Sequence, residues 1–391
     1  MMEGPTNGAV APTLKVLMTA DTLGGVWTYA LELIRALAPL NIEVVLATMG
    51  RRMSDDQRRQ AVRLPNLTVH ESEYRLEWMS DAWNDVDAAG DWLMRLQQES
   101  GADVMHLNGY AHASWPWSVP VYVVAHSCVM SWWQAVHGTA APAVWDEYRR
   151  RVSEGLAAAT EIVSPSRAMA ECLRRHYGQV GAFDAAERPI QVIPNGRSPD
   201  NFRAGPKHPF VFAAGRLWDQ AKNLSVLDEA AAGLPWPVWL AGPIEHPELN
   251  AAFPARHARL LGVTPNDVMR HWFSQADIYA LPARYEPFGL SVLEAALSGC
   301  ALLLGDIESL RENWDGAAHF VNPEDADAVR AGLKSLIKTP RLRRDLAQRA
   351  HQRAMEFTPQ RMAHAYAALY RGEHPHPSPA ITSGSAATVD H

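Results

Sequence analysis

A chain of 391 residues, 47% hydrophobic and 20% charged, can build two domains of ordinary size with a core each, and the composition is that of a water-soluble globular protein. It holds no run of about eighteen apolar residues, so no membrane span is expected, and a net charge of −7 lacks the basic footprint of a nucleic-acid-binding protein. Three cysteines, Cys128, Cys172 and Cys300, are odd in number and far apart, which fits the reduced thiols of a cytoplasmic protein better than a disulfide framework or a zinc site.

Residues 1–13 read as a flexible leader without a secretory pattern. LKVLMTAD (14–21) follows as a buried strand, then the turn TLGGVW (22–27) and a helix with apolar residues at helical spacing. IEVVLAT (42–48) is a second strand, residues 50–66 a polar helix or loop, LTVHES a short strand and 84–100 an amphipathic helix. DVMHLN (103–108) and VYVVAHS (121–127) are strands, with a helix over 142–159, the strand TEIVSPS (160–166), the helix AMAECLRRHYG and the strand PIQVIPNG (189–196). This alternation specifies a parallel, doubly wound sheet over 14–200, with ligands expected at the carboxyl ends of its strands. The pattern restarts over 201–357. PFVFAAG (209–215) is a strand, AKNLSVLDEAAAGL a helix, and PVWLAG, ARLLG and ADIYALP are strands. ALLLG (301–305), a helix near 307–314 and AHFVN (318–322) complete the second unit. Residues 324–338, 340–356 and 358–371 form three successive helices, the last crossing back to brace the first domain; the Pro/Ser/His-rich tail 372–391 reads as disordered.

Two such units place a cleft between the carboxyl ends of two sheets. RYEPFGLSVLEAALSGC (284–300) leaves a strand there, with Glu286 before a helix and Glu294 inside it. Between them the amides of Phe288, Gly289 and Leu290 stand at a helix start, which favours an anion. GRLWDQAKN (215–223) carries Gly215, then Arg216 as a planar fork and Lys222 as a point charge, a pairing suited to a diphosphate. Gly242 stands in LAGP (240–243), which ends a strand in a Gly/Pro turn where backbone can approach a flat base. In the first half, Gly24 and Gly25 open a helix without the glycine fingerprint of a dinucleotide fold, and His126 ends a strand on the cleft edge. An exposed acid or a lone strand-end histidine is, by itself, more often structural than functional.

Together these stretches resemble a family 4 glycosyltransferase with the two-domain GT-B fold, over about residues 14–370. The resemblance implies transfer of a hexose from a nucleotide sugar, UDP-linked by preference with GDP and ADP open, to a sugar, glycan or small-molecule hydroxyl, with retention at the anomeric carbon. It implies that Glu286 holds the transferred sugar and Glu294 the ribose, that the amides of Phe288, Gly289 and Leu290 contact sugar and distal phosphate, and that Arg216 and Lys222 neutralise the leaving diphosphate. Gly24 and Gly25 would face donor phosphate and acceptor from across the cleft, and His126 would contact the transferred sugar. No cofactor and no metal are expected, since Arg216, Lys222 and the helix amides supply the charge the leaving diphosphate needs; DVD (85–87) and DAD (325–327) fall in predicted helices away from strand ends and read as surface acids, and Asp21 would serve as a base only in an inverting enzyme. An epimerase, an inverting transferase or a silent nucleotide-sugar-binding protein are the alternatives. Trp27, Tyr110, Trp115, Trp132 and Trp133 lie in or beyond strand-end loops and are candidates for an aromatic acceptor groove. The clusters Arg51/Arg52/Arg58/Arg59/Arg63 and Arg149/Arg150/Arg151 leave room for at most a weak peripheral membrane contact.

Overall fold

The computed structural model describes residues 13–180, 183–184, 188–245 and 252–373. The leader and the tail read from the sequence lie, apart from residues 13 and 372–373, outside the described residues. The first unit comprises β1 (Leu14–Asp21), α1 (Gly25–Leu37), β2 (Ile42–Met49), α2 (Asp55–Ala61), β3 (Leu67–Glu71), α3 (Trp83–Ser100), β4 (Val104–Leu107), β5 (Val121–Val124), α4 (Val129–His137), α5 (Asp146–Ala158), β6 (Glu161–Ser164), α6 (Arg167–Tyr177), the small hairpin strands β7 (Gln179–Val180) and β8 (Phe183–Asp184), and β9 (Ile190–Val192). The second comprises β10 (His208–Ala214), α7 (Leu224–Ala230), β11 (Val238–Ala241), β12 (Arg259–Gly262), α8 (Asn266–Gln275), β13 (Ala276–Leu281), α9 (Leu290–Leu297), β14 (Ala301–Gly305), α10 (Glu308–Trp314), β15 (Ala318–Val321), α11 (Ala326–Lys338) and α12 (Pro340–Ala354), before α13 (Pro359–Tyr370).

The first sheet runs β3-β2-β1-β4-β5-β6-β9 and the second β12-β11-β10-β13-β14-β15. Every described pairing in both is parallel. Each sheet therefore reverses its order beside its own first strand, between β1 and β4 and between β10 and β13. That is where a doubly wound sheet opens a crevice for ligand. The expected GT-B architecture is present: two doubly wound domains face each other across these crevices.

α13 returns to the first domain. Met362, Ala363, Tyr366 and Tyr370 join Tyr29, Ala30 and Ile34 of α1 and Tyr122 of β5 in one core. The Tyr122 hydroxyl donates to the Leu369 carbonyl at 2.7 Å, so the last helix is fixed by a polar contact as well as by packing.

Two helices were not foreseen. α4 is capped by the Cys128 sulfur, which accepts from the Ser131 amide, rather than by a Ser, Thr, Asp or Asn side chain. α8 has no side-chain cap and runs straight into β13. The helix read over 221–234 is shorter, beginning at Leu224, because Asn223 is left-handed (φ 57°) and its side-chain Nδ2 donates to the Pro282 and Pro323 carbonyls at 2.9 and 2.6 Å.

Candidate functional site

At the end of β1 the Asp21 carboxylate accepts from the amides of Leu23 and Gly24, both at 3.0 Å, and bends the chain into α1. Burial pushes Asp21 above its usual range, against the pull of those amides and of Arg216. A Cβ on Gly24 would stand 3.4 Å from Nη1 of Arg216, and one on Gly25 3.5 Å from Cδ1 of Leu290. Gly24 and Gly25 thus meet the second domain across the cleft, with Gly24 facing the Arg216 guanidinium.

Arg216 follows β10. Its Nη2 donates to Oδ2 of Asp219 at 2.7 Å, and Asp219 also accepts from the Ala221 amide at 3.0 Å. The other oxygen of Asp219 receives Nε1 of Trp132, from the first domain, at 3.0 Å. Burial disfavours a charge on Asp219, but Arg216, Lys222 and the indole N–H outweigh it and hold the carboxyl below its usual range. Asp219 is therefore a fixed anion that aims Arg216 into the cleft.

The loop after β13 is pinned to the same turn: the amides of Arg284 and Tyr285 both donate to the Ala221 carbonyl. This brings Lys222 and Glu286 into a direct ion pair, with side chains 19% and 10% exposed. An ammonium has three donors, so one bond to Glu286 leaves Lys222 able to hold an anion as well. Ser309 donates to the Glu286 carbonyl at 2.6 Å and fixes the backbone beneath it.

Gly289 precedes α9 with φ 89°, a conformation side chains rarely adopt, and its Cβ would press on Val292 at 3.1 Å. Phe288 turns its ring into the core against Phe357, so it offers its amide alone to the cleft. The first-turn amides of α9 have no partners within the helix, and its start stands beside Glu286: a Cβ on Gly289 would lie 3.4 Å from Cγ of Glu286. Glu294, one turn on, is not free. Its Oε1 lies 2.8 Å from Nη2 of Arg197, whose Nη1 lies 2.9 Å from Glu32 of α1. Burial pushes the Glu294 carboxyl up while Arg197 opposes it.

Gly215 and Gly242 lie back to back. A Cβ on Gly242 would fall 1.8 Å from the Gly215 carbonyl oxygen, so glycine is required there for strand ends to approach. His126, two residues beyond β5, is half-buried with Nε2 2.8 Å from Oδ1 of Asn108. Burial and the neighbouring His106 lower its pKa to about 3.

Two of the aromatic candidates for an acceptor groove are corrected. Trp27 and Tyr110 are buried in the first domain, where Trp27 donates to Gln60 at 3.2 Å and the Tyr110 hydroxyl donates to the Ser127 carbonyl at 2.8 Å. Trp115 packs on Gly90, where a Cβ would meet its ring at 2.1 Å. Trp132 spends its N–H on Asp219, and Trp133 packs beside His137 at 4.3 Å. The acid triplets are used structurally: Asp87 pairs with Arg151, Asp85 accepts from the Arg75 amide, and Asp325 caps α11. Among the described residues no three His, Cys, Asp or Glu side chains converge as metal ligands would.

Within the arginine clusters, Arg52, Arg58, Arg59, Arg149, Arg150 and Arg151 are each paired with a nearby carboxylate, which leaves little unneutralised charge for a lipid surface. Among the described residues no helix is long and apolar enough to cross a membrane. The sequence reading passed over Asp219, Asn108 and Arg197. Asp219 could have been found, since an acid between Arg216 and Lys222 in one turn must meet one of them; nothing local marks the other two.

Comparison with known proteins agrees with this geometry. Residues 23–201 match the profile of Glycosyltransferase Family 4 and residues 208–339 that of Glycosyl transferases group 1. A phosphatidyl-myo-inositol mannosyltransferase of Mycolicibacterium smegmatis is 28% identical over 207 residues, 49% of this chain and 52% of the relative. The segments matched in the curated relatives span between 26% and 52% of their length. Among solved structures, sucrose-phosphate synthase of Thermosynechococcus elongatus superposes with a TM-score of 0.76 at 17% identity, covering 92% of this chain and 98% of that one. Anabaena HepE in complex with UDP-glucose gives 0.71 at 14% identity, covering 92% and 100%. These last two are likenesses of fold. With consecutive family profiles over both halves and the two-domain architecture beneath them, the chain belongs to family 4 of the glycosyltransferases, built on the GT-B fold.

Proposed function

We propose that the protein moves a hexose from a nucleotide-sugar donor, UDP-linked by preference, to a hydroxyl acceptor, with retention at the anomeric carbon and without a metal ion in the site. The observation that carries this reading is the convergence of Arg216, Lys222 and the first-turn amides of α9 at one sheet's crevice, directly opposite Gly24 of the other. A sugar leaving a diphosphate builds positive character on its ring and negative charge on phosphate, and fixed donors placed where that charge grows lower the barrier most. Arg216, aimed by Asp219, and Lys222 supply such donors. Glu286 pairs with Lys222 before the donor arrives and offers its carboxylate to sugar hydroxyls. Glu294 can meet the ribose with the oxygen that Arg197 leaves.

The bound UDP-glucose of HepE, a protein of like fold, supports the preference for a uridine donor. Asp21 is occupied by two amides of its own turn, which supports a mechanism without a side-chain base on that face. The deciding experiment is a thermal-shift panel of UDP, GDP, ADP and their sugars, followed by transfer assays with the ligands that bind and NMR assignment of the product anomer. Stabilisation by UDP-sugars, a retained anomer and activity undiminished by EDTA are expected. An inverted anomer, or activity lost to EDTA and restored by magnesium, would overturn the corresponding part; isomerised donor without acceptor would redirect the reading to an epimerase.

A further inference from the structure

His126 stands just beyond the carboxyl end of β5, beside a residue that follows the neighbouring strand. Asn108 follows β4, and its Nδ2 donates to the Thr19 carbonyl at 2.6 Å while its own amide N–H donates to the Thr19 hydroxyl at 2.9 Å. A backbone carbonyl only accepts, so the NH₂ end of the Asn108 side chain must face Thr19 and the oxygen must face away. On that side stand two imidazole nitrogens: Nε2 of His126 at 2.8 Å and Nε2 of His106 at 3.1 Å. An amide oxygen also only accepts, so both nitrogens must carry the proton. His106 closes the account at its other nitrogen, where Nδ1 receives the Tyr370 hydroxyl of α13 at 2.5 Å. Burial holds both imidazoles neutral, each with a pKa lowered to about 3, so an Nε2–H leaves Nδ1 bare. The Tyr29 ring, 4.4 Å from that of His126 and inclined at 67°, walls in its face. Among the described residues no protein group meets Nδ1 of His126.

We propose that Asn108 is the positioning residue of His126: pinned by Thr19, it fixes the imidazole as the Nε2–H tautomer, so that Nδ1 is presented to the ligand as a hydrogen-bond acceptor. The group His126 reads must then be a donor. A hydroxyl of the sugar qualifies, whereas a phosphate oxygen, itself an acceptor, is repelled. This rests on the proposed transfer from a nucleotide sugar only for the identity of the ligand; the tautomer is a property of the protein alone. The crossing helix takes part, because Tyr370 fixes His106 and His106 shares the oxygen that orients His126.

The test begins with protein labelled with nitrogen-15 in histidine, His126 being assigned by comparison with His126→Gln. Long-range proton–nitrogen spectra are expected to show Nε2 protonated and Nδ1 bare, unchanged from about pH 5.5 to 8. An Nδ1–H, or titration within that interval, overturns the assignment while leaving the transferase reading standing. Asn108→Leu, which offers no acceptor, is expected to release the tautomer; should Asn108→Leu fail to fold, the spectra of the unaltered protein still decide. The ligand half is read with donors in which one hydroxyl is replaced by hydrogen or by fluorine. At the position facing His126 both are expected to lower kcat/KM by roughly tenfold, and the loss should vanish in His126→Phe, which has no acceptor. Fluorine accepts but cannot donate, so a fluoro donor as good as the parent would show a protonated Nδ1 and sink the proposal. No transfer from any sugar nucleotide, with Nε2–H observed, would remove the transferase reading and leave the tautomer assignment in place.

Discussion

Lys222 and Glu286 sit together in a crowded, largely dehydrated corner, and each needs the other's charge. Lys222→Ala removes the cation that would meet the leaving phosphate and leaves Glu286 without its counter-charge. We expect kcat to fall by about a hundredfold or more and the melting temperature to fall with it. Lys222→Ala combined with Glu286→Gln should recover the melting temperature without recovering activity; recovered activity would show the pair to be structural. Trp132→Phe keeps the ring but not the N–H on Asp219, and should lower kcat/KM by about tenfold with little change in melting temperature, because a bond to a charged acceptor across the cleft is lost. The charged residues were legible because their types stand at strand ends in a two-sheet pattern. Trp27 and Tyr110 were misread because a loop position does not say which way a ring turns, and both turn inward.

At the level of elements, the approach of β10 to β11 depends on a missing side chain. Gly242→Ala would drive a Cβ into the Gly215 carbonyl and should destabilise the protein by about 3 kcal/mol in chemical denaturation, with activity falling as Arg216 is displaced. The turn after β4 carries a pH signature of its own. His112 is buried against Val86, its Nε2 2.9 Å from the carbonyl, and burial lowers its pKa to about 4. Below its ordinary value of about 6.5 the unfolded chain takes up a proton that the native state refuses until about pH 4, so this contribution to stability is present at neutral pH and lost on acidification. Relative to wild type, His112→Gln should gain about 2 kcal/mol between about pH 7.5 and 5, other groups cancelling in the comparison. A constant difference would mean that His112 takes up its proton in the folded protein as readily as in the unfolded chain. Strands and the longer helices could be read from periodicity, since buried parallel strands are continuous apolar runs. α4 and α8 escaped because neither begins at a conventional capping residue, and the shortened α7 because the αL turn at Asn223 is stabilised by carbonyls far along the chain.

Across the whole molecule the two domains are stitched at both ends of the cleft. Glu312 of α10 accepts the first amides of α6, from Arg167 and Ala168, at 2.8 and 2.9 Å, and Ser166 donates to the Pro287 carbonyl at 2.7 Å. On the other side Arg197 joins Glu32 to Glu294. Arg197→Met leaves two buried carboxyl groups facing one another and should cost about 3 kcal/mol. Because Glu294 is already pushed up by burial, losing the cation raises it further; its protonated form then restores stability as pH falls, so the loss measured by denaturation should be larger at about pH 8 than at about pH 5.5. No residue near Arg197 in the sequence announces this bridge, since its partners lie on helices from opposite domains. α13 is the last described helix, yet it forms one wall of the first domain. A ribosome making this protein must therefore deliver residues 208–357 before the earlier-made domain can complete its own interior. Until then Tyr29, Ile34 and Tyr122 stand uncovered, and the nascent chain offers them to chaperones for most of its synthesis.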